Sequence, residues 1–411
     1  MRARLAAISA ALLLALPASG QELAGHAGPV SALAAAPDAL ISGGFDGRTI
    51  QWDRSGATAR RILRFHDGNV TAVATTGDGF VSAGQDGRIA LWREGQDDPV
   101  RATERAASPV SALAAADTQI VAGFFDGSLM RIDPATNEAV TQPGHEGRVA
   151  GLAILPGGDL VSVGADLRFV RWHADGSLAS RMSLPELPNG LARAGDILAV
   201  VSADGVLRLH SPEGELLPDR FLSNRPLVAV AAAQDRVAAA DVDGTVWLLD
   251  LPFLVPRAEI QTGHGPVWAL AMAGDALFSA GADGVIRQWS ARDGAALGAP
   301  VAAVPPAPED ASRGAEVYRA CAVCHSLAPG DHSRAGPSLH GVFGRPIASA
   351  EGYAFSEALR NLDIVWTPET VAELFTHGPD AYTPGSRMPN QRVTDPADRQ
   401  ALVEYIARHS R

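Results

Sequence analysis

Two cysteines occur in 411 residues, and they stand together in Cys321-Ala322-Val323-Cys324-His325. Two thiols and an adjacent imidazole at this spacing form the attachment signature of a c-type haem: the sulfurs bond to the porphyrin vinyl groups and the imidazole comes to lie under the iron. A thioether from a distant loop can close the sixth position, and Met388-Pro389 lies downstream. A structural zinc site of the usual kind needs further thiol or imidazole pairs, and no second cysteine pair exists. A disulfide alone gives His325 no role.

The surrounding residues extend the motif. Gly336-Pro337-Ser338-Leu339-His340-Gly341-Val342-Phe343-Gly344-Arg345, then Val365-Trp366, then Tyr382-Thr383-Pro384-Gly385-Ser386-Arg387-Met388 closely resemble class I, mitochondrial-type cytochrome c over about residues 310–409. The resemblance implies an all-α domain with one covalent haem c, held by Cys321 and Cys324 and ligated by His325 and Met388. It implies that the Pro337 carbonyl accepts from the axial imidazole and that Arg345, Trp366 and Ser386 contact the propionates. Gly314 and Tyr318 fit the family's first helix, and Leu402 and Tyr405 its last, where a glycine permits close crossing. Leu374 stands where mitochondrial members carry a tyrosine that donates to the methionine sulfur, so that hydrogen bond is expected to be missing.

The elements upstream repeat. An Asp-Gly pair or near equivalent recurs at Asp46, Asp86, Asp126, Asp166, Asp204, Asp243 and Asp283, at intervals of 40, 40, 40, 38, 39 and 40 residues. Each follows a small-residue strand and precedes an alternating one. A period near 40 marks an array of repeated structural units. The units resemble WD40 repeats, which implies a seven-bladed all-β propeller in which a turn His, a strand Ser, the turn Asp and an outer Trp form a hydrogen-bonded tetrad. Four blades carry the set: His26, Ser42, Asp46, Trp52; His66, Ser82, Asp86, Trp92; His145, Ser162, Asp166, Trp172; and His264, Ser279, Asp283, Trp289. These residues are read as structural, because each His sits in its own blade and the set cannot converge on one ion. Blades three, five and six keep the Asp but have Ile132, His210 and Leu249 at the Trp position. Few residues precede Gly25 once a leader is removed, so the ring is expected to close within blade seven, with residues 295–304 as its outer strand.

The domain reading is a signal peptide at 1–20, a propeller at 23–303, a Pro-rich linker at 304–310 and a cytochrome domain at 311–411. Arg2 and Arg4 before the apolar run Leu5–Leu16, with small residues at 17–20, read as a secretory leader. The run is too short to span a bilayer. Covalent haem attachment in Gram-negative bacteria occurs beyond the inner membrane, so a periplasmic address is expected.

A formal net charge of −12 argues against nucleic acid and anionic membranes as partners. The chain has no lysine, and residues 305–411 carry ten Arg against thirteen Asp and Glu, so docking through a cationic ring is not expected. Arg345, Arg387 and Arg392 form at most a local positive patch. The reading is a periplasmic carrier of single electrons, in preference to a periplasmic oxidoreductase, whose propeller docks redox partner proteins. The alternatives are an oxidoreductase with a second cofactor in the propeller, for which His173 and His210 are the candidate ligands, and a haem-based redox sensor.

Overall fold

The computed structural model describes residues 22–410 except 27, 55–58, 298–311, 323–324, 331–335, 354, 356, 385, 387, 389–392 and 394. The expected leader and linker lie outside the described residues.

Seven four-stranded antiparallel sheets are arranged as blades. Blade one runs Val30–Ala35, Ala39–Gly44, Arg48–Asp53 and Ala59–Arg64, from the innermost strand outward. The innermost strands pack in succession around the ring, and that of blade seven, Val267–Ala273, returns to that of blade one. The small residues of the second strands follow from this stacking, since both faces are covered by neighbouring blades. Ala39–Gly44 is buried throughout. A Cβ on Gly43 would lie 2.5 Å from a Val70 methyl of the next blade.

The Asp-Gly pairs shape the turn between the second and third strands. The Asp46 carboxylate accepts from the Arg48 amide at 3.1 Å, and Gly47 takes φ 70°. In blade four Leu167 occupies the glycine's place at φ 59°, a left-handed conformation that an L side chain resists.

Three tetrads form as expected. In blade two His66 Nε2 lies 2.9 Å from Ser82 Oγ, Trp92 Nε1 donates to the same hydroxyl at 2.9 Å, and His66 Nδ1 lies 3.1 Å from Asp86. Blades one and four repeat the pattern. Each histidine bonds within its own blade. Ile132, His210 and Leu249 hold the Trp position by strand register.

Three expectations are corrected. In blade seven Trp289 donates to Ser279 Oγ at 2.8 Å, but His264 is half exposed and stays 3.9 Å from Asp283. Left-handed glycines at 263 and 265 turn the ring outward, and Arg287 takes the Asp283 carboxylate at 2.7 Å. In blade six the turn is held by Asp241, which accepts from the Asp243 and Thr245 amides at 3.0 Å each, while Asp243 pairs with Arg225 at the surface. The ring closes through the N-terminal segment: Glu22–Ala24 pairs antiparallel with Val285–Arg287 as the outer strand of blade seven. Leu23 is buried there and Glu22 accepts from Arg287 at 3.2 Å. Residues 295–297 do continue from blade seven's own end, pairing with Gln288–Ser290 further along the same edge. Closure is thus shared between the two ends of the propeller, because residues 295–297 reach only the Gln288–Ser290 half of that strand edge; the rest of the expected strand, 298–304, lies outside the described residues.

Beyond residue 311 the described regular elements are helices α1 (Arg313–Ala322), α2 (Glu357–Arg360), α3 (Pro368–His377), α4 (Pro379–Tyr382) and α5 (Pro396–His409). Helices α1 and α5 cross at Gly314, where a Cβ would meet the Ala401 carbonyl at 2.3 Å. Tyr318 and Tyr405 pack beside the crossing with ring centroids 5.2 Å apart, and Leu402 is fully buried. Helix α3 begins with a reciprocal capping box between Thr367 and Thr370 and buries Val371, Leu374 and Phe375 in the same core. No helix among the described residues is long and apolar enough to cross a membrane.

Candidate functional site

Cys321 ends the buried face of α1, and the His325 amide donates back to its carbonyl at 2.9 Å, which ties the imidazole's backbone to the end of that helix. Cys324 lies outside the described residues. His325 Nδ1 is 2.9 Å from the Pro337 carbonyl oxygen. An imidazole that donates through Nδ1 presents Nε2 to a metal, with its tautomer and plane set by the acceptor. A Cβ on Gly336 would lie 2.3 Å from Cε1 of the ring, so only glycine admits the 336–339 loop against it.

Arg345 and Trp366 are neighbours through paired backbone: the Gly344 amide donates to Trp366 and the Trp366 amide to Arg345, at 2.7 and 3.0 Å. The Arg345 guanidinium donates to the Ser338 and His340 carbonyls at 2.9 and 3.1 Å, and burial pulls its pKa down. Ser386 Oγ accepts from the Met388 amide at 3.1 Å and so braces the methionine turn. Leu374, not a tyrosine, faces the same space.

These segments bound one cavity of about 500 Å³, whose wall includes Cys321, His325, Pro337, Arg345, Trp366, Ser386 and Met388. The donor set fits a haem: imidazole and thioether on a shared space, an attachment thiol at its edge, apolar Leu339, Val371 and Ile406 in the wall, and a guanidinium and an indole at one side. Arg387 and Arg392 of the expected patch lie outside the described residues, and Arg345 is held inward by its two carbonyls.

The wall also contains residues that sequence reasoning missed, and they come from the propeller: Pro29, Phe45, Asp46, Gly47, Gly68 and Trp268. Trp268 carried a readable signal. At the matching bulge of the inner strands, blades one to three have Ser31, Thr71 and Ser111.

His210 and His173 do not join this site or each other. His210 is buried against Phe169, with Nδ1 on the Gly214 carbonyl at 3.1 Å and Nε2 without a partner among the described residues. His173 is over half exposed, 3.9 Å from Asp159.

The WD domain, G-beta repeat profile matches residues 18–53, 58–93 and 257–290. The cytochrome c profile matches residues 311–410. Cytochrome c2 of Blastochloris viridis is 41% identical over 102 residues, which are 25% of this chain and 80% of that protein. Cytochrome c of Cochliobolus lunatus is 34% identical over 103 residues, 25% of this chain and 94% of its own. Cytochrome c of Arabidopsis thaliana is 36% identical over 98 residues, 24% of this chain and 87% of its own. With the attachment motif, the imidazole clamp and the methionine turn gathered on one cavity, the chain belongs to the cytochrome c family, as a haem c domain joined to a seven-bladed WD40-repeat propeller.

Proposed function

We propose that the protein is a periplasmic electron carrier whose single haem c is bonded to Cys321 and Cys324 and ligated by His325 and Met388, with the propeller as a protein-docking platform. The observation that carries this reading is the 2.9 Å contact between His325 Nδ1 and the Pro337 carbonyl, with Met388 on the same cavity. Iron held between an imidazole and a thioether supplies one-electron transfer with no coordination position open to substrate. The chain's own residues do the rest. Pro337 orients the imidazole, Ser386 braces Met388, and Arg345 and Trp366 form the side of the cavity suited to the propionates. The domain limits given above, an all-α cytochrome fold and a leader removed after residue 20 complete the reading. The apolar run behind Arg2 and Arg4 supports export, and the WD domain matches support docking of proteins.

The test is cofactor counting on protein purified from its native host, by pyridine haemochrome, metal analysis and difference spectra before and after acid extraction, with cell fractionation alongside. One unextractable haem per chain in the periplasmic fraction is the expected result. A second, extractable chromophore or a stoichiometric metal besides iron would overturn the carrier reading.

A further inference from the structure

The Phe45-Asp46-Gly47 turn of blade one and the Phe125-Asp126-Gly127 turn of blade three have the same sequence and the same place in their blades. Their aromatic rings have different surroundings. Phe125 is 49% exposed, as a ring on a solvent-facing turn should be. Phe45 is more covered and stacks on Trp268 of blade seven, with centroids 5.4 Å apart and planes within 25°. Trp268 sits at a strand bulge where the first three blades place Ser or Thr. In blades one and three the serine bonds two backbone carbonyls across the ring, Ser31 to Gly43 and Val70, and Ser111 to Gly123 and Val149. Blade seven has given up those bonds for an indole.

The aromatic pair lies in the wall of the cavity that also holds His325 and Met388. The cytochrome domain contributes Ala348, Ala350, Tyr353 and Phe355 to the wall of the same cavity, the last two packed edge to face at 4.8 Å. Arg48, next but one to Asp46, is near enough to Tyr353 of the cytochrome domain for the two side chains to interact electrostatically.

We propose that the propeller completes the haem pocket of its own chain: Phe45 and Trp268 are an aromatic seat for Ala348, Ala350, Tyr353 and Phe355 of the cytochrome domain, excluding water from that side of the pocket. The inference deepens the docking-platform reading, on which it rests, by naming the platform's first occupant as a segment of the same chain. The pair acts on the haem by shielding, not by contact chemistry. A drier pocket disfavours the more highly charged oxidised state, so the seat raises the reduction potential. External redox proteins then meet the haem at an edge the propeller leaves open.

The experiment uses full-length holoprotein. Trp268→Ser and Phe45→Ala, singly and together, install side chains already found at matching positions, Ser31 and Ser111 for the first and Ala165, Ala203 and Ala282 for the second. Phe125→Ala is the control, the same deletion on the exposed turn. Hydrogen exchange by mass spectrometry over 345–355 reports docking, and potentiometry reports shielding. In the double variant, exchange in that segment is expected to rise about tenfold and the potential to fall, with neither moving in Phe125→Ala. Unchanged exchange and potential in the double variant would overturn docking in cis while leaving one covalent, redox-active haem intact, so the two readings fail separately. Equal changes in Phe125→Ala would also overturn it, by showing a general loosening of the propeller.

Discussion

His325 Nδ1 lies 2.9 Å from the Pro337 carbonyl oxygen, within a clamp of bonds to backbone carbonyls. The Leu339 amide donates to Ser326 at 2.8 Å and Ser338 Oγ to the Ala328 carbonyl at 2.6 Å, so the loop that carries the acceptor is tied to the chain that carries the ring. Tyr318 adds a hydroxyl bond to the His325 carbonyl at 3.2 Å. An imidazole whose Nδ1 and backbone are both anchored would keep one orientation in either oxidation state, and low reorganisation is what rapid one-electron transfer needs.

Met388 is the proposed sixth ligand, which makes it the residue to remove. With Met388→Ala the proposed sixth position opens, and the reduced variant is expected to bind carbon monoxide while the parent does not. Optical titration decides it. A variant still inert to the gas would displace Met388 as the ligand.

The tetrads make the blades unequal. Ser82 Oγ serves His66 and Trp92 together in a fully buried place, so Ser82→Ala leaves two buried groups unsatisfied and is expected to cost about 1–3 kcal/mol. His264→Ala, at a half-exposed ring outside its tetrad, is expected to stay within about 0.5 kcal/mol. Urea unfolding of both variants compares them directly; equal losses would mean that the hydroxyl bridge contributes nothing special.

Acid should weaken the propeller in two stages. Burial, against the hydrogen bond to Asp166, holds the His145 pKa below 6.5, and burial does the same to His210. Both rings are therefore neutral when folded, the unfolded chain binds more protons, and their contribution is present above 6.5 and lost as pH falls below it. Burial pushes Asp86 and Asp166 up, but bonds from His66, His145 and backbone amides outweigh it and hold both below 3.8. Their contribution survives until pH falls through that range. Urea midpoints by tryptophan fluorescence should drop between about pH 7.5 and about pH 5, then further below about pH 4. A flat profile above pH 5 would contradict the histidine part.

Ring closure through the N-terminal strand gives Leu23 a core role despite its place at the chain's edge. Leu23→Ala is expected to cost about 2–3 kcal/mol and to lower the thermal midpoint of the propeller. If the midpoint is unmoved, closure rests on residues 295–297 alone.

Leu167 offers the opposite sign. At φ 59° and 39% exposed, it carries strain with little burial in return, so Leu167→Gly is expected to stabilise by about 1 kcal/mol. A measured loss would show that the leucine's contacts exceed its strain.

Much of this architecture was legible because it is encoded locally. An aspartate at a 38–40-residue period marks a turn whose geometry depends on that residue and the next, so seven blades could be counted without knowing what touches what. The attachment motif is likewise a matter of covalent spacing between near neighbours in the chain, and Gly314 announces a close crossing because only a missing Cβ allows it. Neighbours in space decided the remainder. Asp241 and Asp243 lie two residues apart, and nothing in that spacing tells which carboxylate turns inward to the Thr245 amide. His264 has the tetrad's residue type but loses its aspartate to Arg287, a competitor from the adjacent strand. Which segment closes the ring depends on how much of one strand edge each end of the propeller can reach. The stacking of Phe45 on Trp268, and their place beside the haem cavity, joins positions more than two hundred residues apart, and only the folded ring brings them together.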